Sequence, residues 1–190
     1  MSGGGKVARI QVFRVARRMW ELGLVAGSSG NVSLRRANVI YITPSGVPYR
    51  YLHPRMIVAI DPQGRLISGP GMPSTEWRLH VHIYRELPEV RAVVHTHSPF
   101  ATAAAVRGEL PLLTDEARLY FPKGIPVAPH APPGTWELAQ RAVEALRRGS
   151  GACLLQQHGV IAVGETSAEA LHVALAVEEA ARIAFLGRVP

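Results

Sequence analysis

Cysteine is nearly absent: Cys153 is the only one in 190 residues. A lone thiol closes no internal disulfide, which excludes a disulfide-stapled scaffold and makes a reducing, cytoplasmic setting the expectation. Long apolar runs are missing too, since charge interrupts every stretch well before the roughly 18 residues of a membrane span. The opening Met1-Ser2-Gly3-Gly4-Gly5-Lys6 has no apolar core followed by a small-residue cleavage site, so no secretory signal is expected. Lysine is confined to Lys6 and Lys123, and 14 acidic residues face 21 basic ones, for a net charge of +7. That positive charge is therefore almost all arginine. It falls in scattered pairs (Arg17-Arg18, Arg35-Arg36, Arg147-Arg148) with no basic run and no interleaved aromatics, which argues against a nucleic-acid partner and leaves small anions as candidates. Repeats, linkers and low-complexity segments are also missing, so residues 1–190 read as one domain, long enough for a sizeable core.

What is present reads as one α/β unit. Val7, Ile10, Phe13, Ala16, Met19 and Trp20 lie on one face of a helix over Val7–Leu22, and Gly23 stops it. Strands are expected near Val32–Leu34, Val39–Ile42, Ile57–Ile60, Ala92–Val94, Ala152–Gln156 and Val160–Val163. Pro73-Ser74-Thr75-Glu76 opens a helix to about Glu86, with Ser74 as its cap. Thr135 caps a helix that Gly149 ends, and Thr166-Ser167-Ala168-Glu169 forms a capping box for a last helix ending near Gly187.

The chemistry-bearing residues are three histidines and one glutamate. His95 and His97 sit at i and i+2 at the end of an apolar strand, so both point to one face. Two neighbouring imidazoles repel when protonated and are costly to bury alone; a shared zinc or similar divalent ion removes both problems. Two surface histidines would give the same spacing. His158 follows another apolar strand and precedes Gly159, in a position to supply a third ligand. Glu76, in a first helical turn, is accounted for by the helix dipole, or by a role as general base beside the metal with a coordination position left open. His53, His80, His82, His130 and His172 read as structural, and Cys153, inside an apolar strand, as no nucleophile. Gly30-Asn31, Ser45-Gly46 and Ser74-Thr75 each join small polar side chains to a tight turn, a setting that binds phosphate through backbone N–H groups or is simply an ordinary turn. No Walker-type or dinucleotide fingerprint is present.

Gly27-Ser-Ser-Gly-Asn-Val-Ser33, Ile42-Thr-Pro-Ser-Gly46, Pro73-Ser-Thr-Glu-Trp77, Val94-His-Thr-His97 and Gln157-His-Gly159 resemble, in order and spacing, the motifs of the zinc-dependent class II aldolase/adducin-head family. The resemblance spans nearly the whole chain. It implies a three-layer α/β/α sandwich around a mixed, mainly antiparallel sheet, assembled as a fourfold homotetramer. It also implies a lyase that splits a ketose 1-phosphate such as L-fuculose 1-phosphate into dihydroxyacetone phosphate and an aldehyde. His95, His97 and His158 match the family's ligands for one zinc per chain, and Glu76 its catalytic acid/base, which also contacts the metal. Gly30, Asn31, Ser45, Gly46, Ser74 and Thr75, with Ser28 beside them, match the positions that hold the substrate phosphate. Other activities of the family are pentulose-5-phosphate 4-epimerisation, for which the epimerases carry Asp where Glu76 stands, and methylthioribulose-1-phosphate dehydration. A non-catalytic adducin-like module would lack the three histidines. Two segments depart from the aldolase pattern. Asp115, in Leu112-Leu-Thr-Asp-Glu116, stands about where the aldolase has a proton-donating tyrosine, and the sequence given ends at Pro190, where the aldolase continues into a closing tail.

Overall fold

Alternating apolar positions in short segments, separated by turns and helices, assemble into one eight-stranded sheet in the computed structural model, which describes residues 3–187. The N-terminal Met1-Ser2 and the C-terminal Pro190 lie outside the described residues. In chain order the elements are helix α1 (Gly3–Glu21), strands β1 (Asn31–Arg36), β2 (Val39–Ile42), β3 (Val58–Ile60) and β4 (Leu66–Ser68), helix α2 (Trp77–Glu86), strand β5 (Ala92–Thr96), helices α3 (Pro99–Arg107) and α4 (Asp115–Tyr120), strand β6 (Val127–Ala128), helix α5 (Trp136–Leu146), strands β7 (Ala152–Leu155) and β8 (Gly159–Gly164), and helix α6 (Ser167–Leu186). The strands lie in the order β4-β3-β2-β1-β5-β8-β7-β6. Every pairing is antiparallel except the parallel β6–β7 pair at one edge. The mixed, mainly antiparallel sheet is the expected one.

Strand alternation divides the core into two layers, one on each side of the sheet. Val32, Leu34, Val94, Leu154 and Ala162 pack with Val12, Ala16 and Met19 of α1 and with Val173, Val177 and Ala181 of α6. On the other face Ile40, Ile42, Val93, Leu155 and Ile161 meet Leu79 and Ile83 of α2 and Leu138, Ala142 and Val143 of α5. Each fully buried aliphatic side chain contributes about 1.5–3 kcal/mol relative to exposure. Two of the expected caps form, at Thr135 and Thr166: Thr135 Oγ1 accepts from Leu138 N at 3.2 Å and Thr166 Oγ1 from Glu169 N at 3.1 Å. The Glu169 carboxylate reaches back one residue further than a capping box requires, to Glu165 N at 2.9 Å.

Four elements lie outside the segments expected from the sequence. β4 is mostly exposed and β6 has two residues. α3, rich in alanine, has no amphipathic stripe, and its start is held from afar: the Glu178 carboxylate accepts from Phe100 N at 3.1 Å and Ala101 N at 2.8 Å. α4 begins at the cap Thr114, whose hydroxyl accepts from Ala117 N at 3.2 Å.

Candidate metal centre and active site

The ends of the central strands carry the polar groups. On β5, Val93 faces the α2/α5 layer, so His95 and then His97 follow it to that side. Asn31 of β1 pairs with His95, and Ile161 of β8 pairs with it on the other side. The chain turns through Gln156–His158 between β7 and β8, with Gln157 at φ 60°, and this brings His158 beside the pair. The three imidazole centroids stand 4.7, 4.8 and 5.0 Å apart.

Glu76 enters from the start of α2, the helix that covers this same side of the sheet. Ser74 is not the cap of α2: the helix begins two residues later than a Ser74 cap would start it, at Trp77, and Glu76 occupies the N-cap position without making a side-chain cap. Ser74 Oγ accepts from Glu76 N at 3.3 Å instead, and the Glu76 carboxylate is free to turn into the sheet. Its Oε2 accepts from Asn31 Nδ2 at 2.9 Å and lies 3.1 Å from His95 Nε2; its Oε1 lies 3.4 Å from His158 Nε2. His97 Nε2 lies 2.9 Å from His95 Nε2. One donor atom from each of Glu76, His95, His97 and His158 falls within 4.8 Å of all the others.

Those separations suit a shared cation. Donors about 2.0–2.2 Å from a tetrahedral zinc stand roughly 3.3–3.5 Å apart. His95 Nδ1 donates to the Val160 carbonyl at 2.8 Å, which fixes that tautomer position and turns Nε2 toward Glu76 and His97. Glu76 Oε1 is buried without a hydrogen-bond partner among the described residues, as a polar group awaiting a ligand is. The residues present therefore fit a divalent ion.

Electrostatics point the same way. Burial opposes ionisation of Glu76, but His95, His158 and the Asn31 amide overcome it and hold the carboxyl far below its ordinary range. Burial, reinforced by His95, pushes both His97 and His158 down to about 4, so both are neutral and ligand-ready near neutral pH. For His95 burial is outweighed by Glu76, which raises its proton affinity.

The three polar turns adjoin one another through Thr43, a residue the sequence pattern does not single out. Thr43 N donates to Val32 O, its hydroxyl accepts from Val32 N, and its carbonyl accepts from Ser74 N at 3.0 Å. Ser45 N donates to Met72 O at 3.0 Å, and Pro44 bridges to Pro73. Gly30-Asn31, Ser45-Gly46 and Ser74-Thr75 thus flank the glutamate. Ser45, Gly46 and Thr75 are exposed, while Asn31 and Ser74 are buried. Gly30 has φ 71°, and a Cβ there would stand 2.6 Å from His95 O and 2.7 Å from a Val25 methyl, so only glycine fits. Tyr49, not anticipated, anchors this loop by donating its hydroxyl to Gly30 O and its N–H to Gly27 O. Ser28 is exposed on the same loop. Asp115 is not brought to the cluster: its side chain is 96% exposed and pairs with Arg118 on its own helix. A cavity of about 300 Å³ between α4 and α6, lined by Tyr120, Phe121, His172 and Ile183 among others, shares no residue with the site.

His80, read from the sequence as structural, is fully buried behind the site and bonded to Asn31 through Nε2 and to Ser33 Oγ through Nδ1. His53, His82, His130 and His172 stand outside the four-donor cluster.

Residues 10–185 match the family described as Class II Aldolase and Adducin N-terminal domain. The chain is 41% identical over 182 residues, 95% of its length and 81% of the relative's, to a 5-methylthioribulose-1-phosphate/5-deoxyribulose-1-phosphate aldolase of Rhodospirillum rubrum. It is 38% identical to an L-fuculose phosphate aldolase of Escherichia coli K12, over 94% of this chain and 82% of that one. Its fold superimposes on a solved L-fuculose 1-phosphate aldolase with a TM-score of 0.90 at 29% identity, covering 96% of this chain and 86% of the other.

Proposed function

The chain belongs to the class II aldolase and adducin N-terminal domain family, and from that premise we propose that it is a metal-dependent lyase cleaving a ketose 1-phosphate to dihydroxyacetone phosphate and an aldehyde. The observation that carries this reading is the Glu76 carboxylate, buried and anionic among three imidazoles, with one oxygen lacking a hydrogen bond. His95, His97, His158 and Glu76 would hold one divalent ion per chain, zinc by the character of the donor set. When bound, such an ion supplies Lewis acidity to the oxygens beside the bond that breaks.

The remaining chemistry belongs to the protein. In the cleavage direction the C3–C4 bond breaks, and the C4 hydroxyl passes its proton to the Glu76 carboxylate as the aldehyde carbonyl forms. The electron pair stays with C3, where an arriving proton completes dihydroxyacetone phosphate. Glu76 carries that proton, taking it from C3 in the condensation direction and returning it in cleavage. His95, His158 and Asn31 hold the resting carboxylate anionic. Its basicity rises when substrate draws it away from them. The substrate phosphate sits against the rim formed by Ser28, Gly30, Asn31, Ser45, Gly46, Ser74 and Thr75, small polar turns of which Ser28, Ser45, Gly46 and Thr75 are exposed beside the start of α2.

L-Fuculose 1-phosphate and the two substrates named for the Rhodospirillum relative share the ketose 1-phosphate group, and this shared part is what we assign. The same premise supports a cytoplasmic homotetramer: Leu119, Phe185 and Leu186 leave apolar surface on α4 and α6 for a neighbouring copy.

The test uses purified protein and three substrates: L-fuculose 1-phosphate, 5-deoxyribulose 1-phosphate and 5-methylthioribulose 1-phosphate. Elemental analysis should find about one zinc per chain, lost in His97→Ala. Dihydroxyacetone phosphate should be released from at least one substrate, inhibited by chelator and by inorganic phosphate. Metal-loaded protein that releases none from all three would overturn the assignment.

A further inference from the structure

Behind Glu76 a line of buried polar groups runs across the α2 side of the sheet. Tyr84 OH lies 2.7 Å from Ser33 Oγ, and Ser33 Oγ lies 2.7 Å from His80 Nδ1. His80 Nε2 meets Asn31 Oδ1, and Asn31 Nδ2 donates to Glu76 Oε2 at 2.9 Å. All five residues are buried, and β1 supplies Asn31 and Ser33 while α2 supplies His80 and Tyr84.

The hydrogens along this line can be placed by elimination. Glu76 is an acceptor only, so Asn31 presents its amide nitrogen to it and therefore its carbonyl oxygen to His80. An amide oxygen needs a donor, so the His80 proton is on Nε2, and Nδ1 is an acceptor. Ser33 must then donate to Nδ1 and accept from the Tyr84 hydroxyl. That fits the last member, because the Tyr84 oxygen is itself hydrogen-bonded by the Val93 backbone. Every donor in the line points toward Glu76. Burial first, then His95, holds the His80 imidazole down at about 3, which keeps the ring neutral as this arrangement demands.

We infer that His80 is a positioning residue for the reaction: through its Nε2–H it locks the Asn31 amide so that nitrogen, not oxygen, faces Glu76. An asparagine amide is nearly symmetric in shape, and rotating it by half a turn would set two acceptors against each other. With the lock in place Oε2 of Glu76 is pinned, and Oε1, the oxygen without a hydrogen bond, is left for chemistry. Packing alone requires no such polarity, since an apolar side chain would fill the space at lower cost. The inference rests on the reading of Glu76 as the proton-carrying group.

Two readouts test it. In metal-free protein labelled with ¹⁵N-histidine, long-range ¹H–¹⁵N correlation at neutral pH should show His80 as the neutral Nε2–H tautomer. The Nδ1–H tautomer or a cationic ring would overturn the inference without any variant having been made. In the metal-loaded enzyme, His80→Phe should lower kcat about 10- to 100-fold, more than it changes KM. His80→Gln, whose amide nitrogen can stand where Nε2 stood, should recover most of the loss, and Tyr84→Phe should give a smaller loss of the same kind. Wild-type kcat in folded, metal-loaded His80→Phe, or equal impairment in the Phe and Gln variants, would overturn it. Glu76→Gln, assayed in parallel, separates the two claims. If it is inactive while His80→Phe is not, the inference alone fails; if it retains turnover, the role of Glu76 and the inference fall together.

Discussion

Replacing Gly159 by alanine is expected to damage the proposed metal site without altering any of the four side chains that would hold the ion. A Cβ at this position would stand 2.3 Å from Thr96 O, 3.1 Å from His97 Cδ2 and 3.3 Å from His95 Cε1. Carbon–oxygen contacts normally begin near about 3.3 Å, so roughly 1 Å must be absorbed. The Thr96 carbonyl cannot give way, because β5 and β8 are paired there through Thr96 and Val160. The strain therefore moves β8 and the two imidazoles. Overpacking of this kind costs about 1–3 kcal/mol, which in a chain of this size lowers Tm by about 2–10 °C. Ligand distances are held within about 0.2 Å, and disturbing the groups that support ligands weakens metal affinity about 10- to 100-fold. Gly23→Ala is the control: its φ is 71° with nothing within 4 Å. It should cost about 1–2 kcal/mol through backbone strain alone and leave metal affinity unchanged. Calorimetry and a competitive zinc titration on both variants give the answer. Wild-type Tm and zinc affinity in Gly159→Ala would refute the reasoning, as would equal loss of zinc affinity in the control.

Acid should destabilise the metal-free protein through His80. Its folded pKa of about 3 lies below the ordinary 6.5, so the unfolded chain binds the proton first, and stability falls as pH drops from 6.5 toward 3. The slope reaches about 1.4 kcal/mol per pH unit, several kcal/mol in all. Denaturation of wild type and His80→Gln across this range should show the steeper decline in wild type, and parallel curves would contradict it. Glu178→Ala removes the acceptor for Phe100 N and Ala101 N at the start of α3, two residues beyond His97. A loss of about 1–2 kcal/mol is expected, with faster hydrogen exchange at those two amides; unchanged exchange would count against the cap.

The pairing of His95 with His97 is legible because a strand has period two, so one glance at the sequence puts them on one face. The approach of His158 is less so: it depends on β8 lying beside β5, a neighbour relation that no local pattern records. Glu76 illustrates the limit at a helix start. A first-turn acid has a ready local explanation in the helix dipole, yet here Glu76 makes no cap and its carboxylate turns to partners 19 and 82 residues away. His80 was indistinguishable from any buried histidine, since its meaning lies in Asn31 and Ser33 on a strand 47–49 residues earlier. α3 escaped because its small side chains show no stripe and its cap comes from Glu178, 77–78 residues along the chain. Thr43, at the joint of the three polar turns, acts mainly through backbone groups, which side-chain patterns do not reveal.

The central claim is that the buried carboxylate of Glu76 carries the proton of a metal-assisted retro-aldol reaction, and Glu76→Gln tests it most directly. Glutamine keeps the shape and can still bond to the histidines, but it cannot take up a proton. With a responsive ketose 1-phosphate and coupled detection of dihydroxyacetone phosphate, the zinc-loaded variant should be about 10²–10⁴-fold slower than wild type, with an unchanged circular dichroism spectrum. Cleavage at a near wild-type rate by that folded, zinc-loaded variant would contradict the account.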